Sequence, residues 1–489
     1  MILGDLLKKT DILSIAADMN IEIHGVSFDS RTIMAGELFV AITGFQDDGH
    51  RYIGEAAAKG AVCVICEIEP DDASMHVPYV VVKDSRKSLA DVSAAWFGYP
   101  ADMIKLIGVT GTNGKTTVTA LIKQVIEKCT GAKTGLIGTN GNKIGGRTLS
   151  AKRTTPESYE IHKLLRMMVD EGCKYAVIEV SSHALRLHRV HGIEFEVGVF
   201  TNLSPEHLDF HDTMEDYAQV KSHLFSQSRH TAINIDDKYA HTIAAAARGS
   251  VMTYSIIDNS ANLVGKCIKL GMDKVAFCAL TIGKLIRTEL RIPGVFSVYN
   301  ALAALSAAML LGIDIESAAS VLQTCEGVKG RAEVVPTGKD FTVLIDYAHT
   351  PDALENIIQT SRGFARGRVI TLFGCGGDRD RKKRPLMGAV AARLSDIAIV
   401  TSDNPRTEDP SEIIKDILSG LENVKTLCKV IENRRDAICW ALDNAQPGDV
   451  LILAGKGHET YQIASDGKRR FDEREVVKEY FVGLADIKK

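Results

Sequence analysis

Gly108-Val109-Thr110-Gly111-Thr112-Asn113-Gly114-Lys115-Thr116-Thr117 follows the apolar run Ile104-Lys105-Leu106-Ile107 and precedes Val118, Leu121, Ile122, Val125 and Ile126, which share one helical face. The stretch reads as strand, glycine loop and helix, the context of a phosphate-binding loop. Backbone N–H groups, a helix N-terminus and the Lys115 ammonium can together meet the concentrated negative charge of a nucleoside triphosphate. Thr116 would offer a hydroxyl to magnesium. The first glycine of the standard GxxxxGK pattern would fall at position 109; Val109 stands there, and Gly108 lies one residue earlier. The plainer alternative is a tight turn whose lysine faces solvent.

Working outward, 489 residues exceed one ordinary core and suggest three domains. A formal charge of -4 and a pI near 6.4 speak against a nucleic-acid binder. The basic run Arg379 to Arg384 reads instead as a site for small anions. No signal-peptide pattern or bilayer-length apolar stretch occurs, which makes a cytoplasmic location the expectation. Of ten cysteines, Cys63-Val64-Ile65-Cys66 forms a close pair; on a strand of valine and isoleucine it reads as buried thiols rather than a metal or redox site.

Residues 1–98 read as a small α/β unit, with strands at Glu37–Ile42, Ala61–Ile65 and Tyr79–Val82 and helices at Tyr52–Lys59 and Ser85–Phe97. Pro100 and the turn at Asp102 mark its end. Residues 99–329 carry the glycine loop, strands at Tyr175–Val180, Val197–Phe200 and Thr231–Ile235, and an almost wholly apolar helix at Tyr299–Leu311. From 330 to 489, strands at Phe341–Ile345, Val369–Phe373, Ile397–Val400, Lys425–Cys428 and Val450–Leu453 alternate with helices. That alternation predicts a mostly parallel, doubly wound, Rossmann-like sheet. Ligands of such sheets gather at the carboxyl ends of strands, where Asp346, Gly374–Arg384, Asp403–Arg406 and Gly455–Glu459 fall.

Glu179, at the end of the apolar strand taken to come next after the loop in chain order, can help hold the magnesium of a loop-bound nucleotide. The bland alternative is a surface carboxylate before a turn. Glu206, His207, Asp209, His211 and Asp212 cluster after the strand Val197–Phe200. His207 and His211 could sit on adjacent helical turns as zinc ligands, but no His-Glu-x-x-His motif occurs. One histidine and one glutamate beside a phosphate-bound magnesium fit better. Lys221, helical among apolar residues, would by itself be read as snorkelling to solvent.

Gly111-Thr112-Asn113-Gly114-Lys115-Thr116, Glu179-Val180-Ser181-Ser182-His183, His207-Leu208-Asp209-Phe210-His211, Gly330-Arg331, Asp346-Tyr347-Ala348-His349-Thr350-Pro351-Asp352, Gly374 to Asp380, Asp403-Asn404-Pro405-Arg406 and Gly455-Lys456-Gly457-His458-Glu459 occur in this order. In these motifs the chain resembles the Mur ligases, ATP-dependent amide-forming enzymes of peptidoglycan synthesis, over essentially its whole length. The resemblance implies three domains: residues 1–98 for a UDP-sugar, 99–329 for ATP, with a P-loop ATPase-like core, and 330–489 for an incoming amino acid. It implies addition of meso-2,6-diaminopimelate to UDP-N-acetylmuramoyl-L-alanyl-D-glutamate through an acyl phosphate; a monomer is the expectation, although nothing in the sequence fixes the oligomeric state.

By the same resemblance ATP would be held by Gly111, Thr112, Asn113, Gly114, Lys115, Thr116, Thr117 and Asn300, with Arg331 and Asp346 reaching it from the third domain. Thr116, Glu179, His207 and Lys221 would serve magnesium, Lys221 as a carbamate made from carbon dioxide. Lys115, Glu179, His207 and Lys221 would be catalytic. Ser30, Thr43, Phe45, Gln46, Asn113, Thr154, Thr155, Ser181 and Arg189 would hold the UDP substrate. Arg379, Asp403, Asn404, Pro405, Arg406, Gly455 and Glu459 would hold the amino acid, the arginines clamping the distal carboxylate that lysine lacks. Leu187 stands where the family often has glutamine, and Ser297 where it has the first asparagine of a Gly-x-Phe-Asn-x-x-Asn stretch. The alternatives are a lysine-adding enzyme, a folylpolyglutamate- or cyanophycin-type ligase, and a nucleotide-binding regulator without catalysis.

Overall fold

The computed structural model describes residues 1–44, 47–70, 77–205, 210–421 and 426–487. They divide into two compact units: one runs to Leu203 and adds the segment ending at Thr253 and Ser306–Ile313, the other takes Tyr254–Leu305 and the chain from Asp314 onward.

The first unit opens with β1 (Ile12–Ala16), β2 (Gly25–Ser27), β3 (Glu37–Val40), β4 (Cys63–Cys66) and β5 (Tyr79–Val82), in the order β1-β5-β4-β3-β2, parallel except for β1. Its strands obey the period of two. Cys63 packs with Leu38, Val40, Ile65 and Val80 on one face, Cys66 with Phe39, Val64 and Val81 on the other. Burial pushes the Cys63 thiol up to about 12 and the Cys66 thiol up to about 11. Opposite faces and suppressed ionisation bear out the reading as inert thiols.

The second sheet of this unit holds β6 (Lys105–Thr110), β7 (Thr134–Ile137), β8 (Asn142–Ile144), β9 (Arg147–Leu149), β10 (Tyr175–Glu179), β11 (Phe195–Phe200) and β12 (Ser228–Asn234), ordered β12-β11-β6-β10-β7-β8-β9. β6 lies between β10 and β11, parallel to both, with Val109 opposite Glu179 and Val199. The expectation that the Glu179 strand comes next after the loop is thereby corrected: β7, β8 and β9 intervene in the chain, and β10 returns to pair with β6. Those three strands are three or four residues long, too short to carry a period. The helix Lys115–Thr130 begins at Gly114 and ends at Gly131, both left-handed, and buries the predicted face of Val118, Leu121, Ile122, Val125 and Ile126.

In the second unit, Tyr254 and Ser255 end β13 (Ser250–Ser255) and pair with Leu263 and Val264 of β14 (Leu263–Leu270). β15 (Val275–Thr281) and β16 (Lys284–Leu290) follow antiparallel. The apolar helix expected near residue 300 spans Val295–Leu310. A six-stranded sheet then joins β17 (Glu333–Val335), β18 (Thr342–Asp346), β19 (Val369–Phe373), β20 (Ile397–Val400), β21 (Leu427–Val430) and β22 (Val450–Ala454) in the order β17-β18-β22-β19-β20-β21. All neighbours are parallel except β17. β19, β20 and β22 are buried at every residue, as a sheet covered on both faces requires. A hairpin of β23 (Tyr461–Ala464) and β24 (Gly467–Arg470) precedes the last helix, Glu473–Ile487. The predicted Rossmann-like alternation is therefore present, with Asp346, Gly374, Asp403 and Gly455 just at or beyond the carboxyl ends of its strands.

Candidate active site

The loop after β6 is shaped by two glycines in the left-handed range, Gly111 (φ 148°) and Gly114 (φ 87°). A Cβ at Gly111 would collide with the Thr201 hydroxyl. From the end of β11, Asn202 accepts the Thr112 N–H through its backbone carbonyl (2.8 Å) and the Asn113 N–H through its side chain (2.9 Å). The Thr201 hydroxyl donates to the Asn113 carbonyl at 2.7 Å. Lys115 folds back so that its ammonium donates to the Gly111 and Thr112 carbonyls, each at 2.8 Å. Thr117 is buried in the first turn of the helix that follows.

Glu179 is 1% exposed. Its carboxylate accepts the Thr116 hydroxyl at 2.9 Å and, from the end of β7, the Thr139 N–H at 2.8 Å and hydroxyl at 3.0 Å. A surface carboxylate before a turn is thus excluded. Lys221, on the helix Met214–Ser226, is also 1% exposed, which overturns the snorkelling reading. Its ammonium donates to the Gly111 carbonyl at 3.0 Å and lies 4.7 Å from the centre of the Tyr217 ring, whose hydroxyl is 3.3 Å from that of Thr112. The same glycine loop therefore receives Lys115, Lys221 and, through Thr116, Glu179. His207, Phe45 and Gln46 lie outside the described residues, as do Glu206 and Asp209. His211 is turned to Asp216 at 3.2 Å and packs against Phe210 and Tyr217; burial lowers its pKa. Among the described residues no three His, Cys, Asp or Glu side chains form a metal cage.

The residues expected to hold the UDP substrate form a second chain of contacts in this unit. The Thr155 hydroxyl donates to the Glu179 carbonyl at 2.6 Å, and Thr154 and Thr139 hydroxyls meet at 3.1 Å. Ser181 caps the helix Ser182–Arg186 by accepting the Ala184 N–H. Arg189 donates to the Thr155 carbonyl at 3.0 Å and pairs with Glu157 at 2.7 Å; burial lowers its pKa. Glu157 also meets Arg153 at 2.7 Å and Arg86 at 3.5 Å, and Arg86 reaches the Thr43 carbonyl at 3.0 Å. Ser30 stands apart from this chain, its hydroxyl donating to Glu55 at 3.1 Å. Arg86, Glu157, Thr139 and Tyr217 were missed from sequence. None of the four carried a sequence signal: Thr139 follows β7, a strand too short to show a period, and its place beside Glu179 comes from the pairing of β7 with β10. Leu187, at the C-terminal end of the helix Ser182–Arg186, brings no polar group.

In the second unit Asp346 accepts the N–H groups of Ala332 (2.7 Å) and Ala348 (2.8 Å). Burial raises its pKa, and Arg331 opposes that rise. The Arg331 guanidinium lies 5.1 Å from the Tyr347 ring centre. Asn300 is 5% exposed on the helix Val295–Leu310, where Ser297 donates to the Pro293 carbonyl.

Asp403, Asn404, Pro405 and Arg406 leave β20 and meet the turn after β22. Asn404 donates to Glu459 at 2.9 Å, and a Cβ at Gly455 (φ 110°) would come within 2.7 Å of Asp403 Oδ2. Arg406 holds a left-handed backbone (φ 54°) and donates to the Gly377 carbonyl at 2.7 Å. A Cβ at Gly376 would come within 2.8 Å of an Arg406 guanidinium nitrogen and 3.8 Å of Arg379 Cγ, while the Arg379 guanidinium itself donates to the Asp378 carbonyl at 3.1 Å. The basic run Arg379–Arg384 is corrected in part: Arg384, 0% exposed, is committed to Glu408 at 2.8 Å and Asp416 at 2.9 Å, and Arg381 to Asp416 at 3.0 Å. Net composition does not reveal partners that distant in sequence.

Three family models match this chain: the Mur ligase family catalytic domain at residues 22–97, the Mur ligase middle domain at 109–308 and the Mur ligase glutamate ligase domain at 330–457. The chain belongs to the Mur ligase family. The UDP-N-acetylmuramoyl-L-alanyl-D-glutamate--2,6-diaminopimelate ligase of Caldanaerobacter subterraneus subsp. tengcongensis is 48% identical to this Mur ligase over 98% of both chains. That of Clostridium botulinum is 46% identical over 94% of this chain and 95% of its own. A solved structure of a ligase of the same name superposes with a TM-score of 0.73 at 31% identity, covering 99% of each chain. A Mycobacterium tuberculosis folylpolyglutamate synthase shares the fold at 19% identity (TM-score 0.61) but covers only 76% of this Mur ligase.

Proposed function

We infer that this chain is a ligase that uses ATP to join meso-2,6-diaminopimelate to UDP-N-acetylmuramoyl-L-alanyl-D-glutamate. The observation that carries the ligase chemistry is the convergence of Lys115, Lys221 and the Thr116–Glu179 pair on one glycine loop. The near full-length likeness to ligases of that name supports the choice of substrates.

A free carboxylate is a poor electrophile because its charge is shared and neither oxygen leaves. Attack of a terminal carboxylate oxygen of the dipeptide on the γ-phosphorus of ATP breaks its bond to the β-γ bridging oxygen, giving an acyl phosphate and ADP. The neutral amine then attacks the acyl carbon through a tetrahedral intermediate, which collapses to the amide as phosphate departs and the nitrogen gives up a proton. Lys115 would neutralise charge as the phosphoryl moves. Thr116 and Glu179 suit magnesium, which binds through one or two protein oxygens plus substrate phosphates and needs no complete protein cage. Bound there, magnesium would offset the phosphate charge. Carbamylation would turn Lys221 from a cation into an anionic oxygen donor beside the loop, with His207 as its partner toward a second magnesium.

On this reading residues 1–98, 99–329 and 330–489 serve the UDP-sugar, ATP and the amino acid. Ser30, Thr43, Phe45, Gln46, Asn113, Thr154, Thr155, Ser181 and Arg189 serve the first substrate, and Gly111 to Thr117, Asn300, Arg331 and Asp346 the nucleotide. Arg379 and Arg406 would clamp the distal carboxylate of the diamino acid, with Gly455 and Glu459 at its ammonium and Asp403, Asn404 and Pro405 framing the turn. Among the described residues no helix is long and apolar enough to cross a membrane. The reading carries with it a monomer working in the cytoplasm.

Phosphate release measured with each substrate omitted in turn tests the function: it should need ATP, the UDP-linked dipeptide and the amino acid together. No release with all three saturating overturns the ligase reading. Wild type should use meso-diaminopimelate far better than lysine, and Arg406→Ala should lose that preference by at least tenfold, since truncating a desolvated charged contact costs about 2 to 5 kcal/mol. Equal wild-type kcat/KM for the two amino acids overturns the amino-acid assignment and leaves the ligase.

A further inference from the structure

Lys456 follows Gly455 at the end of β22 and is 0% exposed. A lone ammonium so placed would be strongly unfavourable, so its surroundings must answer it. Its Nζ donates to Asn404 Oδ1 at 3.2 Å and to Glu459 Oε2 at 3.3 Å, and lies 3.7 Å from Asp403 Oδ1. Asn404 Nδ2 donates to that same Glu459 oxygen at 2.9 Å, while Asn404 Oδ1 also accepts the Ile463 N–H at 2.9 Å. Gln462 holds the Asp403 carbonyl at 2.6 Å, and the Arg406 N–H reaches the Ile463 carbonyl at 3.1 Å. Three of the side chains assigned above to the amino acid, those of Asp403, Asn404 and Glu459, thus meet at one buried ammonium, and the β23 strand pins the turn that carries another, Arg406.

We propose that Lys456 is a positioning residue for the diamino acid. Its ammonium holds Asp403, Asn404 and Glu459 in one arrangement and reduces two carboxylates, the buried Asp403 and the half-buried Glu459, to a single net negative charge. That remainder matches one ammonium of the incoming substrate. Without Lys456 the two carboxylates repel each other, and Glu459 loses one of the two donors to its Oε2. The proposal rests on the reading that this cluster receives the diamino acid.

Steady-state kinetics of Lys456→Met and Lys456→Gln, each substrate varied in turn, test it. The KM for meso-diaminopimelate should rise about tenfold or more, while the KM values for ATP and the UDP-linked dipeptide stay within about twofold. A folded variant with an unchanged KM for meso-diaminopimelate, or with all three KM values raised alike, overturns the proposal. Lys456→Gln keeps a hydrogen-bond donor without the charge and serves where the methionine variant does not fold. A wild type indifferent between lysine and meso-diaminopimelate defeats the amino-acid reading itself. A selective wild type whose variants keep its KM for meso-diaminopimelate defeats only the role of Lys456.

Discussion

At the scale of single residues, Lys221 shows what sequence reading cannot see. Its helical pattern told which face it shares with apolar neighbours, not that the face meets the loop after β6, so a snorkelling lysine was the fair reading of the bare pattern. On the ligase reading, Lys221→Ala should lose most ligation; added bicarbonate should not restore it, whereas small carboxylates should restore part by replacing an anionic ligand. Plain lysine at 221 in an active, magnesium-loaded enzyme would count against the carbamate. His162 is a different case. It is 2% exposed on the helix Ser158–Asp170, both ring nitrogens lack partners among the described residues, and burial lowers its pKa to about 4. The unfolded chain takes up this proton near pH 6.5, the folded chain only near pH 4, so stability present above 6.5 is lost as pH falls toward 4. The loss by about pH 4.5 should be about 2 to 3 kcal/mol. Urea denaturation near pH 7 and about pH 4.5 should show a smaller drop for His162→Phe than for wild type; equal drops would remove His162 from the account.

Among elements, the strand, glycine loop and helix were readable because three signals agreed: an apolar run, glycines where positive φ is needed, and a 3.6-residue face. Gly111 makes the agreement testable. Its φ of 148° and the Thr201 hydroxyl beside it leave no room for a methyl group. Gly111→Ala should destabilise the protein by about 1 to 3 kcal/mol and lower ATP-dependent turnover at least tenfold, read by denaturation and phosphate release. Unchanged turnover would mean that the loop tolerates a different backbone. The alternating strands and helices of residues 342–454 were legible for the same reason, their buried strands carrying continuous apolar runs. β7 to β9, β17 and the β23–β24 hairpin were not. Each is three or four residues long and draws its stability from pairing with distant strands, which no local window records.

For the molecule as a whole, family membership was legible from the order of its motifs, while the contacts behind them were not. Arg384 could not be told from Arg379 by sequence, because its partners Glu408 and Asp416 lie 24 and 32 residues away. Glu157, gathering Arg86, Arg153 and Arg189, was hidden in the same way. The backward fold of Lys115 onto the Gly111 and Thr112 carbonyls also bears on how the protein lives among cellular anions. Any anion entering the loop must win the ammonium from two oxygens that already hold it. On the ligase reading, a triphosphate, which would meet backbone N–H groups and side chain together, is better placed to do so than a lone chloride or orthophosphate. A loop holding its lysine in this way would then favour ligands by the number of contacts they make at once, and dilute nucleotide over abundant small ions.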